Sequence, residues 1–163
     1  MYAAIRIRGQ VNLNHKMKKA LDMINLKKAN HLSLWPENKG AKKMLERTQG
    51  NITFGEIDDA TLRELLEKKA EACMPPKNGK KEEKKAKGAK AEKTSAKGKV
   101  DVKHVIEILK NGKNPKEAGI KNCFRLAAPT KGYERGGIKK PYKLGGALGY
   151  RGKEINALIK KML

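Results

Sequence analysis

The sequence has little of what a catalytic or metal-binding domain needs. It contains two cysteines and three histidines in 163 residues. Cys73 and Cys123 lie far apart without C-x-x-C spacing, which favours reduced thiols over a disulfide framework or a zinc site. The histidines, at 15, 31 and 104, show no metal-ligand spacing. The sequence therefore predicts no enzyme, no metal site and no cofactor.

Long apolar stretches are also missing. No apolar run approaches the length of about 18 residues that spans a bilayer. The first ten residues, MYAAIRIRGQ, alternate like a strand and lack the apolar core of a signal peptide. We therefore expect a cytoplasmic protein without a membrane segment and without a small-molecule substrate.

Acidic residues are much less frequent than basic residues. The chain has 17 Asp and Glu against 39 Lys and Arg, a net charge of +22 and a pI near 10.1. Such an excess calls for a polyanion, and nucleic acid and anionic membrane are the two abundant candidates. The excess is greatest in residues 75–99 and 121–163.

Residues 1–74 have the pattern of a compact α+β unit. Strand patterns at YAAIRIRG, HLSLWP and ITFG alternate with three stretches of helical spacing, so the predicted order is β-α-β-α-β-α. Polar residues that can cap these helices are Asn12 or Asn14, Asn38, and Asp58 or Asp59. In the first strand, Arg6 and Arg8 alternate with isoleucines. This alternation predicts a cationic outer face, which either contacts RNA or is simply solvated.

The segment 75–99 has no aliphatic side chain larger than alanine. It cannot bury enough surface to offset the entropy of ordering. Two interpretations stay open, a solubilising linker and a basic arm that orders on RNA.

Residues 100–163 contain two apolar helical patterns and a long loop. We predict a helix with Val102, Val105, Ile106 and Leu109 on one face, and a strand at NCFRL. Ala127 to Arg151 is mostly Gly, Pro, Lys, Arg and Tyr, a length of loop that indicates function or ordering by a partner. The closing helix carries Ile155, Leu158, Ile159 and Met162 on one side and is expected to return to the core.

Four glycines, Gly145, Gly146, Gly149 and Gly152, fall within eight residues of this loop. The phosphate-loop and dinucleotide motifs are absent, and GYRG matches the KH-domain G-x-x-G only weakly. Two interpretations remain. The glycines form a close-contact surface for RNA outside the core, or they shape the turn into the last helix.

The chain resembles a known family in several stretches. These are YAAIRIRGQ, ALDMINLKKANHLSLWP, ITFGEID with TLRELLEKK, and above all FRLAAPTKGYERGGIKKPYKLGGALGYRGKEINALI. Together they are similar to the L-thirty ribosomal proteins of the large subunit, in their archaeal form, over nearly the whole chain outside the lysine-rich segment. The resemblance implies a β-α-β-α-β core related to ferredoxin-like folds with a helix-containing, Gly/Lys-rich C-terminal extension. It also implies a structural role on large-subunit ribosomal RNA, with neighbouring ribosomal proteins as partners and the small 5S rRNA as a further candidate.

Composition and resemblance together predict a ribosomal, cytoplasmic RNA-binding protein. Its expected parts are a core at 1–74, a linker or arm at 75–99 and an extension at 100–163. Lys and Arg are expected to neutralise phosphates, glycine backbone to approach the RNA, and tyrosines to stack on bases or sugars or else to pack on the core. The candidate RNA-binding residues are Arg6, Arg8, Lys16, Lys131, Tyr133, Arg135, Lys139, Lys140, Tyr142, Lys143, Gly145, Gly146, Gly149, Tyr150 and Arg151. The rival class is a free RNA-binding regulator, with a cationic membrane-surface protein third.

Overall fold

A computed structural model describes residues 1–11, 13–69, 105–106, 108–109, 115 and 120–163. The first half alternates strands and helices in the predicted order. The elements are β1 (Tyr2–Arg6), α1 (His15–Met23), β2 (His31–Trp35), α2 (Lys39–Thr48), β3 (Ile52–Glu56) and α3 (Asp59–Lys69).

The last forty residues add short strands and a terminal helix. They form β4 (Phe124–Arg125), a 3₁₀ turn (Tyr142–Leu144), β5 (Gly149–Tyr150), a second 3₁₀ turn (Gly152–Glu154) and α4 (Ile155–Met162). The predicted strand at NCFRL and the predicted closing helix are thereby confirmed. β5 was not predicted, because two residues are too few to show an alternation.

All five strands belong to one mixed sheet in the order β4-β2-β1-β3-β5. β1 runs antiparallel to both β2 and β3, so β2 and β3 are parallel with β1 between them. This is the split β-α-β arrangement of ferredoxin-like folds. At the edges, β4 pairs antiparallel with β2 and β5 pairs parallel with β3. The predicted α+β, ferredoxin-like class is confirmed.

Helices cover both faces of the sheet. On one face α1 and α2 bury Leu21, Ile24 and Leu45 against Ala4 and Phe54. On the other face a larger cluster joins α3 and α4 to β1 and β2, and residues 105, 106 and 109 are buried within it. The sheet is therefore the middle layer of three. Of the helix predicted around these residues, Val102 lies outside the described part of the chain.

Helix termini are stabilised by specific side chains. The predicted cap Asn14 accepts a hydrogen bond from the Lys16 amide at 3.2 Å, whereas Asn38 precedes α2 without a side-chain cap bond. At the start of α3, the backbone is hydrogen-bonded by a side chain of α4. Asn156 Oδ1 accepts from the Asp58 amide at 2.9 Å, and its Nδ2 donates to the carbonyl of Glu56 at 3.1 Å. The start of α3 is thus tied to the terminal helix.

The predicted divisions of the chain fall outside the described residues. Both boundaries, near 74 and 99, and the whole lysine-rich segment 75–99 lie there, so these divisions stay a prediction. The described parts on either side contribute strands to the same sheet.

Candidate nucleic-acid interface

The loop from Ala127 to Arg151 folds back on itself and onto the sheet. The amide of Gly136 donates to the Gly145 carbonyl at 2.9 Å, and the amide of Leu148 donates to the Lys140 carbonyl at 3.2 Å. Ala147 and Leu148 are buried against Ile7. The loop is therefore anchored by its own apolar residues, and the expectation that it lies outside the core is wrong for this part.

Arg151 is a structural cation, not an exposed one. Its guanidinium pairs with both oxygens of Glu134, and its Nη2 also donates to the Ala147 carbonyl at 3.2 Å. Its Nε donates to Thr53 Oγ1 at 3.3 Å, and its Cζ lies 4.4 Å from the centroid of the Tyr142 ring. The sequence interpretation of Arg151 as surface charge is wrong, because these contacts bury it between the loop and β3.

The ion pair shifts the titration of Glu134. Partial burial raises the pKa of its carboxyl, but hydrogen bonds from Arg151 and its own backbone, with the charges of Arg151 and Lys161, outweigh burial. The net pKa of Glu134 lies below its ordinary value. The carboxylate therefore stays ionised at neutral pH and holds the loop to Arg151.

Arg6 is buried in the same way at the opposite side of the sheet. Its Nη1 donates to the carbonyls of Leu26 at 2.7 Å and Lys27 at 2.9 Å, and its Nη2 donates to that of Gly9 at 2.9 Å. Burial lowers the pKa of Arg6 and the charge of Asp22 raises it in part. The expected cationic outer face of β1 is wrong at this residue, because the turn after α1 covers that face.

Two of the four glycines are needed by the fold. A Cβ at Gly146 would overlap the backbone of Lys140, and Gly149 is buried in β5 with φ +88°. Gly145, by contrast, is exposed, with φ +76° and open space around its Cα. A single close-contact surface made by all four glycines outside the core is therefore ruled out. Gly146 and Gly149 shape the turn, and Gly145 remains open to a partner.

Tyr133 also supports the fold. Its hydroxyl donates to Asn30 Oδ1 at 2.9 Å, and its ring packs beside Ile7 and Leu148. Burial and the neighbouring Glu134 raise the pKa of Tyr133, and Arg151 lowers it in part. Of the two interpretations of this tyrosine, the structure favours packing.

The other predicted residues reach the surface. Lys139, Lys140 and Lys143 lie on one folded loop and are exposed. Further exposed candidates are Arg8, Lys16, Lys131 and Arg135. The loop thus carries three exposed lysines and the exposed backbone of Gly145, which suits contacts to phosphate.

A cleft of about 490 Å³ separates this loop from α2. Tyr142 and Tyr150 line it from the loop, and Phe54 of β3 lines it as well. Lys42 and Glu46 line it from α2, and Gln49 lines it from the position directly after the helix. The sequence prediction named both tyrosines but missed the helix residues. The i, i+4, i+7 spacing of positions 42, 46 and 49 is the signal that places them on one helix face.

Tyr150 is held in place beside the cleft. Its hydroxyl donates to Glu56 Oε1 at 2.7 Å, and this bond raises the pKa of Tyr150 to about 12. Its ring centroid lies 5.5 Å from that of Phe54, tilted by 50°. The side chain is still 44 % exposed. It therefore offers a fixed ring to a partner.

Other kinds of site find no support in the described part of the chain. Its His, Cys, Asp and Glu side chains form no group of three or more that could hold a metal ion. Cys123 Sγ lies 3.3 Å from His31 Nδ1, but this contact involves only two such side chains. Among the helices seen in the structure, none has the length and hydropathy required to cross a membrane.

Known proteins resemble the chain over its full length. It is 37 % identical to the large ribosomal subunit protein uL30 of Nanoarchaeum equitans, covering 100 % of this chain and 99 % of that protein. The uL30 of Methanococcus maripaludis is 35 % identical, and the match covers 99 % of each of the two chains. The uL30 of Hyperthermus butylicus is 37 % identical, and the match covers 100 % of this chain and 90 % of that protein. No protein-family model matches. On the strength of these full-length relatives, the chain belongs to the large ribosomal subunit protein uL30 family.

Proposed function

We propose that this protein is a structural constituent of the large ribosomal subunit that binds and stabilises ribosomal RNA, without catalysis. The observation that carries the proposal is the full-length similarity to uL30 proteins. A net charge of +22 supports an RNA partner, because each phosphate neutralised by Lys or Arg releases counterions. The ribosome in the cytoplasm is the corresponding location.

The exposed cations are the proposed phosphate contacts. Lys139, Lys140 and Lys143 are exposed on the same loop as Gly145, whose backbone has no side chain to hold a partner away. Arg8, Lys16, Lys131 and Arg135 add charge elsewhere on the surface. The buried or partly buried members of the predicted set act indirectly, because they hold the loop and the first strand in position: Arg6, Arg151, Tyr133, Gly146 and Gly149.

The proposed partners follow from the family. Large-subunit ribosomal RNA is the principal one, with 5S rRNA as a further candidate and neighbouring ribosomal proteins at the periphery. Phosphate contacts position a protein on RNA without selecting sequence. Selection among RNA sites must therefore come from shape and from contacts to unpaired bases.

Co-sedimentation tests this function. An affinity-tagged copy of the full chain, expressed in an archaeal host, is expected in the large-subunit and monosome fractions of a sucrose gradient. Tagged protein that stays at the top of the gradient while still binding RNA would contradict the proposal and favour the free regulator.

A pair of triple variants tests the surface within the same experiment. Replacement of Lys139, Lys140 and Lys143 by Ala is expected to shift protein out of the large-subunit fractions. Replacement of the exposed α1 residues Lys18 and Lys19, together with Lys28, removes the same charge elsewhere and serves as the control. Equal loss from both variants would argue against a contact role for the loop.

A further inference from the structure

We propose that the cleft between α2 and the C-terminal loop holds one unpaired nucleotide of RNA, with its base against Tyr150 and Tyr142. This inference deepens the proposed function, on whose RNA partner it rests. We refer to this space, lined by Lys42, Glu46, Gln49, Phe54, Tyr142 and Tyr150 among others, as the nucleotide cleft.

The shape of the nucleotide cleft suits a small flat ligand. Its volume of about 490 Å³ lies in the range of small-molecule pockets, and it is partly open to solvent. A paired base cannot leave its helix to enter such a space without losing its partner. An unpaired base has no partner to lose, and single-stranded or bulged positions are where proteins read RNA.

The aromatic rings of the cleft are already fixed. Tyr150 is held by its hydrogen bond to Glu56 and by the ring of Phe54. Tyr142 carries the guanidinium of Arg151 against one face. A ring that is ordered before binding loses little entropy on binding, so its stacking energy goes into affinity. These contacts orient both tyrosine rings before a base arrives.

The charges of the cleft fit a base inside and phosphates outside. Lys42 and Lys143 line it from its two sides, and both are exposed, so their ammonium groups can reach the flanking phosphates. Glu46 and Gln49 also line the cleft. A carboxylate repels phosphate but accepts a hydrogen bond from an exocyclic amino group such as N4 of cytosine. The polar residues therefore favour an amino-bearing base over a bare phosphate as occupant.

A binding comparison with two RNA hairpins tests the inference. One hairpin carries a single bulged cytidine, and the other has the same stem without the bulge. The full-length protein is expected to bind the bulged hairpin on the order of tenfold more tightly, because one base stacked on an aromatic side chain contributes roughly that much. Equal affinity for both hairpins would overturn the inference.

Two variants at one position isolate the ring. Tyr150→Leu removes the aromatic face and is expected to abolish the preference for the bulge. Tyr150→Phe keeps the ring while losing the hydrogen bond to Glu56, and it is expected to keep most of the preference. As a charge control, Lys18→Ala on α1 should weaken binding to both hairpins by the same factor.

Photocrosslinking tests the inference with the wild-type protein, so the result does not depend on whether a variant folds. With 5-iodocytidine at the bulge, irradiation should attach the base to Tyr142, Tyr150 or Phe54, as mapped by mass spectrometry of the digested protein. Crosslinks elsewhere would overturn the inference even if the bulge is preferred. A protein that co-sediments with the large subunit yet shows no bulge preference would refute the nucleotide cleft and leave the proposed function intact.

Discussion

At the scale of single residues, two buried arginines show that some of the positive charge stabilises the fold and is not available to a partner. Arg6 and Arg151 each lie more than nine-tenths buried, and each has its guanidinium bonded within the chain. A guanidinium suits this role because its rigid fork of donors can satisfy several acceptors at once. Net charge alone therefore overstates the charge available to RNA.

The first prediction concerns Arg6. Arg6→Leu leaves the Leu26 and Lys27 carbonyls without their donor, so the free energy of unfolding should fall by about 2 to 3 kcal/mol. Urea denaturation followed by circular dichroism measures the change. Arg8→Leu is the control, because Arg8 is exposed and should cost no more than about 0.5 kcal/mol. Similar losses from both would mean that the backbone bonds of Arg6 contribute little.

A second prediction concerns pH and the pair formed by Glu134 and Arg151. The pKa of Glu134 is lowered in the folded protein, so the unfolded chain takes up the proton first as pH falls. The stabilisation is complete above the unfolded pKa of about 4.3 and is lost as pH drops through the folded value. Hence Glu134→Gln should lower the free energy of unfolding at neutral pH, and this effect should shrink as pH falls through the folded pKa of Glu134.

Unfolding curves at several pH values test this expectation. Glu154→Gln removes one exposed carboxylate and corrects for the change in net charge. A difference between wild type and Glu134→Gln that stays constant with pH would show that the ion pair does not stabilise the loop.

At the scale of elements, sequence periodicity predicted the order of strands and helices but not which parts of the chain pack over them. The order of the first six elements and the closing helix followed from alternation and helical spacing. The burial of Arg6 could not be predicted in this way. Alternation shows that one face of a strand is apolar, but it does not show that a turn covers the opposite face. β5 and the cleft depend on Gly149, Tyr150 and α2, which only the folded chain brings together.

The third prediction concerns the turn at Gly146. Gly146→Ala would push a methyl group into the backbone of Lys140, so we expect a loss of about 2 kcal/mol or more. Gly40→Ala is the opposite case. Gly40 lies in the first turn of α2 with open space around it, and alanine there should raise stability by up to about 1 kcal/mol. Thermal unfolding of both variants gives the comparison, and a neutral Gly146→Ala would contradict the tight packing.

At the scale of the whole molecule, charge dominates the expected behaviour. If about six or more phosphates are neutralised, raising salt from roughly 50 to 200 mM should weaken RNA binding by about a thousandfold. Fluorescence anisotropy with a labelled RNA hairpin measures this fourth prediction. The triple alanine variant at 139, 140 and 143 should give a shallower slope of log affinity against log salt, by roughly 2 to 3. A flat salt response in the wild type would contradict an electrostatic mechanism.

The order of strands in the sheet has a consequence for how the protein is made. Both outer strands, β4 and β5, come from residues 124–150, whereas the three inner strands are complete by residue 56. A growing chain therefore emerges with two unpaired sheet edges, each a template for pairing with other chains. Only the last part to be synthesised supplies the strands that pair with them. Truncated copies that end before β4 should therefore aggregate. The full-length chain should not, because its β2 and β3 edges are paired.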